Sequence, residues 1–177
     1  MAIIGTEVLV IKTQKISFKE TYMKIGGEVF PAFNPYNKST YEIHVSGCTR
    51  KCKGCHNSDL QDFTFGENLD LNEYIKKLRK RAKFYDVIAI LGGDLLCQEF
   101  DEARAFAIQL RTAFRKKELW LFTGEEIHGV PKWAKEVFDY IKVGPYMEKF
   151  KQEGFPASSN QKLLKKGVDY GLDSKYI

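Results

Sequence analysis

Val87-Ile-Ala-Ile-Leu-Gly-Gly-Asp94 decides the reading of the fold. An unbroken apolar, mostly β-branched run closed by two glycines and an acid is the pattern of a strand buried on both faces, as a parallel strand under helices is. Upstream, Asp70 is placed to cap a helix, with Glu73 three residues on as in a capping box. That helix carries Leu71, Tyr74, Ile75, Leu78 and Ala82 at helical spacing. Further upstream, Tyr41-Glu-Ile-His-Val-Ser46 alternates apolar and polar residues, as a half-buried strand does. Downstream, Phe100, Ala103, Ala107, Leu110 and Phe114 form one helical stripe. Leu119-Trp-Leu-Phe122 is the next strand and ends in Thr123-Gly124. Pro131 opens a third helix with Trp133, Val137 and Phe138, Tyr140-Ile-Lys-Val143 is a strand ending in Gly144-Pro145, and Gln161-Lys-Leu-Leu164 is a possible last helix.

Strands alternating with helices predict parallel βαβ units with right-handed crossovers. The motifs of chemical interest fall just after strands, so they converge on the strand-end rim where α/β proteins bind ligands. At 177 residues the chain is too short for an eightfold barrel of about 250 residues. The expected fold is therefore α/β: a partial, open β/α barrel of parallel strands with an N-terminal antiparallel β-extension. Thr6-Glu-Val-Leu-Val-Ile11 reads as a strand of that extension, and Gly26-Gly27, Pro31 and Pro35 read as its turns. No repeat or linker is visible. The expected organisation is a single domain over 1–177, with an accessory region at 1–40, a core at 41–165 and a tail at 166–177.

Hydrophobic residues make up 44% and charged residues 29%, which is ordinary for a globular protein. No apolar run approaches the roughly 20 residues of a membrane span. Met1–Glu7 has no basic leader region, so a cytoplasmic protein is expected. The net charge of +5 comes from scattered lysines. Arg79-Lys80-Arg81 and Arg115-Lys116-Lys117 fall at expected helix C-termini, where cations suit the helix dipole. No basic, aromatic-studded stripe for nucleic acid stands out.

Three of the four cysteines lie in Cys48-Thr-Arg-Lys-Cys52-Lys-Gly-Cys55. Clustered thiols point to metal rather than to a disulfide framework. Thiolates favour zinc or iron–sulfur clusters, and the spacing alone admits both. Zinc needs a fourth protein ligand, for which His44, His56 and Cys97 are the candidates. A cube with three cysteines leaves one iron open to a small molecule. Gly47 and Gly54 let the loop turn tightly around a bulky object. Cys97 reads as a small buried hydrophobe, His44 as facing away from the core, His128 as a loop residue, and Trp120 and Trp133 as core. Lys142, inside an apolar strand near the rim, is costly to bury without an anionic partner.

The Cys48/Cys52/Cys55 spacing, on a loop after the first core strand, resembles the radical S-adenosylmethionine (SAM) superfamily. Cys55-His56-Asn57, Gly92-Gly93-Asp94-Leu95-Leu96, Trp120-Leu-Phe-Thr-Gly124, Tyr140-Ile-Lys-Val-Gly-Pro-Tyr146 and Ser158-Ser-Asn-Gln161 follow the order seen in anaerobic ribonucleotide reductase activating enzymes, which are glycyl radical activating enzymes. The resemblance spans roughly residues 41 to 165. It departs from the family at Leu95, where proline is common, and at His56, where tyrosine is common. The chain also has a longer region around Asn34-Pro35-Tyr36-Asn37.

The resemblance implies a [4Fe–4S] cluster on Cys48, Cys52 and Cys55, with SAM chelating the open iron and cleaved reductively to a 5′-deoxyadenosyl radical. It implies SAM contacts from Gly54, His56, Asn57, Gly92, Gly93, Asp94, Thr123, Gly124 and Lys142, and no catalytic side chain beyond the cluster and SAM. It implies partner contacts from Ser158, Ser159, Asn160 and Gln161. The partners would be the large subunit of anaerobic ribonucleotide reductase, which would receive a glycyl radical, and a low-potential donor such as flavodoxin; no membrane or nucleic acid is implied. Two other readings are a compact radical SAM enzyme acting on a small molecule, like 7-carboxy-7-deazaguanine synthase, and a zinc-stabilised nucleic-acid-binding module.

Overall fold

A computed structural model describes residues 23–171. They form a single seven-stranded sheet built in chain order from β1 (Lys24–Phe33), β2 (Ser39–Val45), β3 (Glu67–Asn68), β4 (Val87–Gly92), β5 (Glu118–Phe122), β6 (Tyr140–Val143) and β7 (Lys162–Lys165). The spatial order is β3-β1-β2-β4-β5-β6-β7. Pairings β2–β4, β4–β5 and β5–β6 are parallel, and they are joined by α1 (Leu71–Arg81), α2 (Phe100–Ala113) and α3 (Lys132–Val137). Strands β1 and β3 extend one edge antiparallel, and β7 extends the other. This is the expected open α/β barrel with an antiparallel β-extension. No described helix is long and apolar enough to cross a membrane.

The two faces of the sheet carry different residues because strand side chains alternate. Tyr41, Ile43, Val45, Ile88, Ile90, Leu119, Leu121, Ile141 and Val143 join the buried stripes of all three helices in one apolar core. Each fully buried aliphatic there contributes about 1.5–3 kcal/mol. The opposite face is partly filled by Trp120, stacked on Tyr140 at 4.5 Å between ring centroids, with Tyr36 set edge-on to Trp120 at 5.7 Å. Toward the strand C-termini that face opens into a cavity. Glu42 lines the cavity, and His44 sits 3.2 Å from its carboxylate, so His44 does face away from the helices.

Asp70 caps α1 by accepting from the backbone N–H groups of Asn72 and Glu73 at 3.0 and 3.1 Å, and Leu71, Tyr74, Ile75 and Leu78 are buried as read. Three expectations need correction. Gly26, Gly27 and Pro31 are not turns but lie inside β1, whose register slips between Ile25 and Gly27 and between Val29 and Ala32; such irregularities let a strand hold glycine and a non-donating proline. Phe100 leaves the α2 stripe for an exposed contact with the Trp133 ring, and Phe106 takes a core place. Residues 161–164, read as a possible helix, contribute β7, because Leu164 packs on the helix-covered core and Leu163 on the Trp120 side. The strand expected at Thr6–Ile11 lies outside the described residues, as does the tail beyond 171.

Candidate metal centre

The Cys48–Cys55 segment is the loop that leaves β2. Its backbone enters the left-handed region at Gly47 (φ 98°), Lys51 (φ 48°) and Gly54 (φ 71°), and this coils the chain around its own thiols. The loop is pinned at its root, where Gly47 N–H donates to Leu60 O at 2.8 Å and Cys48 N–H to Gln61 O at 3.1 Å. Gln98 donates from Nε2 to the carbonyls of Ser46 and Gly47 at 3.0 and 2.9 Å. Asn57 donates to Gly92 O at 3.3 Å, tying the end of the loop to the end of β4.

Cys48, Cys52 and Cys55 open onto a cavity of about 360 Å3. The same cavity is lined by His56, Asn57, Gly92, Gly93, Asp94, Thr123, Gly124, Lys142 and Gln161. The rim convergence expected from the sequence is therefore present. Gly54 does not line the cavity; its place is fixed by its positive φ.

Asp94 is 2% exposed, and protein donors occupy its carboxylate. Oδ2 accepts from Arg50 Nε at 2.8 Å, Thr123 Oγ1 at 2.8 Å and Gly124 N–H at 3.0 Å. Oδ1 accepts from Leu96 N–H at 3.0 Å. Through Oδ2 the carboxylate clamps the ends of β4 and β5, while Asp94 also lines the cavity, as the resemblance implies for a residue near SAM. Gly93 lines the cavity as well, but the protein's own packing accounts for the glycine. A Cβ there would lie 2.6–2.9 Å from the carbonyl oxygens of Gly47, Leu60 and Val45. It is the protein's own backbone that requires glycine at this position.

Lys142 has no side-chain hydrogen bond or ion pair among the described residues. Burial lowers its ammonium to about 8, while Asp94, Cys52 and Cys55 partly hold the charge. Arg50 was not singled out in the sequence, yet it enters the cavity wall and bridges Asp94 to Glu125, the latter at 3.0 Å. No local signal reveals it, since its partners stand 44 and 75 residues away.

Cys97 is half-buried rather than core. Its sulfur lies 3.3 Å from Thr49 Oγ1 and within 4.8 Å of that of Cys48. Interaction between the two neighbouring thiols lowers the Cys97 pKa and raises that of Cys48.

Ser158–Gln161 is also committed internally. Asn160 Nδ2 donates to Pro145 O at 2.8 Å, Gln161 Nε2 donates to Gly144 O at 3.0 Å, and Gln161 Oε1 accepts from Ser158 N–H at 3.3 Å. Ser158 and Gln161 are buried, and of the four only Ser159 is exposed. The amide N–H groups of Asn160 and Gln161 thus hold the turn after β6. Asn160→Ala with Gln161→Ala is accordingly expected to lower folding stability by about 2–4 kcal/mol, through buried carbonyls left unpaired. Urea unfolding checks this; an unchanged midpoint with lost partner binding would return the segment to a docking role.

The donor set discriminates between metals. Four sulfurs around one zinc at about 2.3 Å must lie within about 4 Å of one another. Cys48, Cys52 and Cys55 are not grouped that closely; among the described residues the one group within 4.8 Å is Cys48, Asp94 and Cys97. Three thiols spread around a loop above a cavity fit a cluster's separate irons.

Residues 39–164 match the family of 4Fe-4S single cluster domains. The chain belongs to this family, a radical SAM-type iron–sulfur group, and its cofactor is a [4Fe–4S] cluster. The zinc module falls with that assignment. Among curated proteins, the chain is 26% identical over 103 residues to the anaerobic ribonucleoside-triphosphate reductase-activating protein of Enterobacteria phage T4, covering 57% of this chain and 65% of that protein. It is 27% identical over 105 residues to the protein of the same name from Haemophilus influenzae, covering 57% of this chain and 68% of that one. The matched region thus spans about two thirds of the length of these relatives.

Proposed function

We propose that this protein is a glycyl radical activase for an anaerobic ribonucleotide reductase. The observation that carries the reading is the convergence of Cys48, Cys52 and Cys55, the Gly92-Gly93 turn and the unpaired Lys142 on one cavity of an iron–sulfur family fold. The two relatives named as reductase-activating proteins support the finer assignment. A [4Fe–4S] cluster with SAM supplies, when bound, the one-electron cleavage that yields a 5′-deoxyadenosyl radical.

The chain's own work is to bind, orient and shield. Cys48, Cys52 and Cys55 hold the cluster at the mouth of β2. The strand-end carbonyls near Gly92 and Gly93 offer acceptors to the SAM ammonium. Lys142 offers the SAM carboxylate a largely desolvated cation without a partner in the fold, which favours pairing there. Thr123, Gly124, His56 and Asn57 border the same space. In this reading 41–165 is the working core of one domain, the partner is the reductase's large subunit, and a low-potential carrier such as flavodoxin supplies the electron in the cytoplasm, where free thiols persist.

The test uses anaerobically reconstituted protein, a chemical reductant and SAM. Formation of 5′-deoxyadenosine is expected, followed by a glycyl radical signal in electron paramagnetic resonance (EPR) when the reductase subunit is added. Cleavage with no radical on the reductase would favour a small-molecule substrate; no cleavage at all would remove the radical reading.

Lys142 provides a second check. An unpaired buried cation costs stability wherever it is charged. Its folded value near 8 lies below the ordinary 10.5, so the cost is full below pH 8 and fades as pH rises from there toward 10.5. Lys142→Met is expected to raise the apoprotein's melting temperature at about pH 7, to gain less at about pH 9.5, and to weaken SAM binding about tenfold or more. A variant less stable at both pH values would show that Lys142 has a partner in the fold.

A further inference from the structure

We propose that Arg50 is a positioning residue that sets the cluster loop against the SAM side of the cavity, and that Asp94 acts through it. Arg50 sits in the middle of the four-residue step from Cys48 to Cys52. Its guanidinium forks, with Nε on Asp94 Oδ2 at 2.8 Å and Nη2 on Glu125 Oε2 at 3.0 Å. Asp94 lies just past the end of β4 and Glu125 lies past the end of β5. One side chain therefore spans the cluster loop and two strand ends.

The fork matters because the same Asp94 oxygen also takes Thr123 Oγ1 and the Gly124 N–H. Three cavity walls meet at one buried atom. Arg50 is the partly buried charged side chain that joins the loop to these walls. The root and the exit of the loop are held by Asp94 N–H to Gly47 O, Gly93 N–H to Val45 O, Gly47 N–H to Leu60 O, Cys48 N–H to Gln61 O, Asn57 and Gln98; between them Thr49 Oγ1 meets Cys97 Sγ at 3.3 Å and the exposed Lys53 pairs with Glu148 at 3.1 Å, but neither joins the loop to the ends of both β4 and β5. The path of Arg50 is built in: a Cβ on Gly124 would fall 2.4 Å from Arg50 Cδ, so glycine there leaves room for the arginine stem.

Loss of the fork leaves the three thiols and both loop ends in place. It loosens residues 49–51, between the first two thiols, relative to the Gly92-Gly93 turn. Iron loading should survive, while the match between the open iron and the methionine end of SAM should not. A lysine reaches one carboxylate as a point charge and cannot fork to two, so it restores part of the effect.

This inference rests on the reading that SAM binds at the cluster. The experiment compares wild type, Arg50→Gln and Arg50→Lys as reconstituted, reduced holoproteins. Iron and sulfide per chain, the thermal melt, and the change in the cluster's EPR spectrum on titration with SAM are measured. Expected results are wild-type iron content in all three, a SAM affinity weakened about 10- to 100-fold in Arg50→Gln, as for partners that orient a metal site's own ligands, and an intermediate affinity in Arg50→Lys. A wild-type SAM response in Arg50→Gln overturns the proposal. Loss of iron from Arg50→Gln to the level of a cysteine variant overturns it too, since Arg50 would then be needed for the cluster itself. A wild-type protein that does not respond to SAM would instead defeat the parent reading of the site.

Discussion

Cys48→Ala, Cys52→Ala and Cys55→Ala are each expected to cut bound iron on the order of tenfold or more and to abolish reductive SAM cleavage, whereas Cys97→Ala keeps both. The argument starts from where the thiols point. The first three lie on one coiled loop and open into one cavity. With three ligands, removal of any one leaves two contacts and a vacated iron that water or a stray thiol fills poorly. Cys97 comes from a different element, the short turn that Asp94 caps at Leu95–Cys97. It lies within 4.8 Å of the Cys48 sulfur, but it does not line the cavity.

The proximity of Cys97 makes the comparison informative. Cys48, Asp94 and Cys97 lie within 4.8 Å of one another, the compact grouping that a single ion prefers. Metal analysis after anaerobic purification, with the visible absorption of each variant, separates the two possibilities. A Cys97→Ala protein that loses iron alongside Cys48→Ala would move the centre to that compact group.

Much of this centre was legible before the fold was known, for a physical reason. Strand and helix periodicities are local, so Val87–Leu91, Leu119–Phe122 and Tyr140–Val143 declare themselves, and parallel order then brings the loops after them to one rim. The contacts that set the rim's chemistry are not local. Arg50 and Asp94 are 44 residues apart, and nothing in either neighbourhood encodes their pairing. Gln161 reads as a recognition amide because its carbonyl partner, Gly144, is visible only after β7 has paired with β6. Residues 161–164 misled for a related reason: four residues with adjacent leucines satisfy either period, and the packing of each leucine on a different face decides for strand. Gly26, Gly27 and Pro31 look like turn residues in isolation, and the register slips that accommodate them in β1 are a property of the pair of strands.

Gly93→Ala is expected to destabilise the protein by about 3 kcal/mol or more, above the usual cost of overpacking a core, and to lower cluster loading through the fold rather than through SAM. The sequence pattern alone points to a glycine that clears space for a cofactor. The local geometry argues otherwise. Gly93 N–H donates to Val45 O at 2.7 Å, and the next residue, Asp94, donates to Gly47 O at 3.0 Å. These two bonds zip the chain after β4 to the chain after β2, where the cysteine loop begins. A methyl group at Gly93 would meet Gly47 O at 2.6 Å, Leu60 O at 2.8 Å and Val45 O at 2.9 Å. All three are backbone atoms, so no rotamer change relieves the clash. The two segments must separate, and the hydrogen bonds that join them weaken together. Gly27 is a suitable control, because a Cβ there meets nothing within 4 Å, and Gly27→Ala should stay near wild-type stability. Chemical denaturation of the two apoproteins tests the contrast without metal or SAM. A Gly93→Ala protein as stable as Gly27→Ala, but unable to bind SAM, would restore the cofactor as the reason for glycine at this turn.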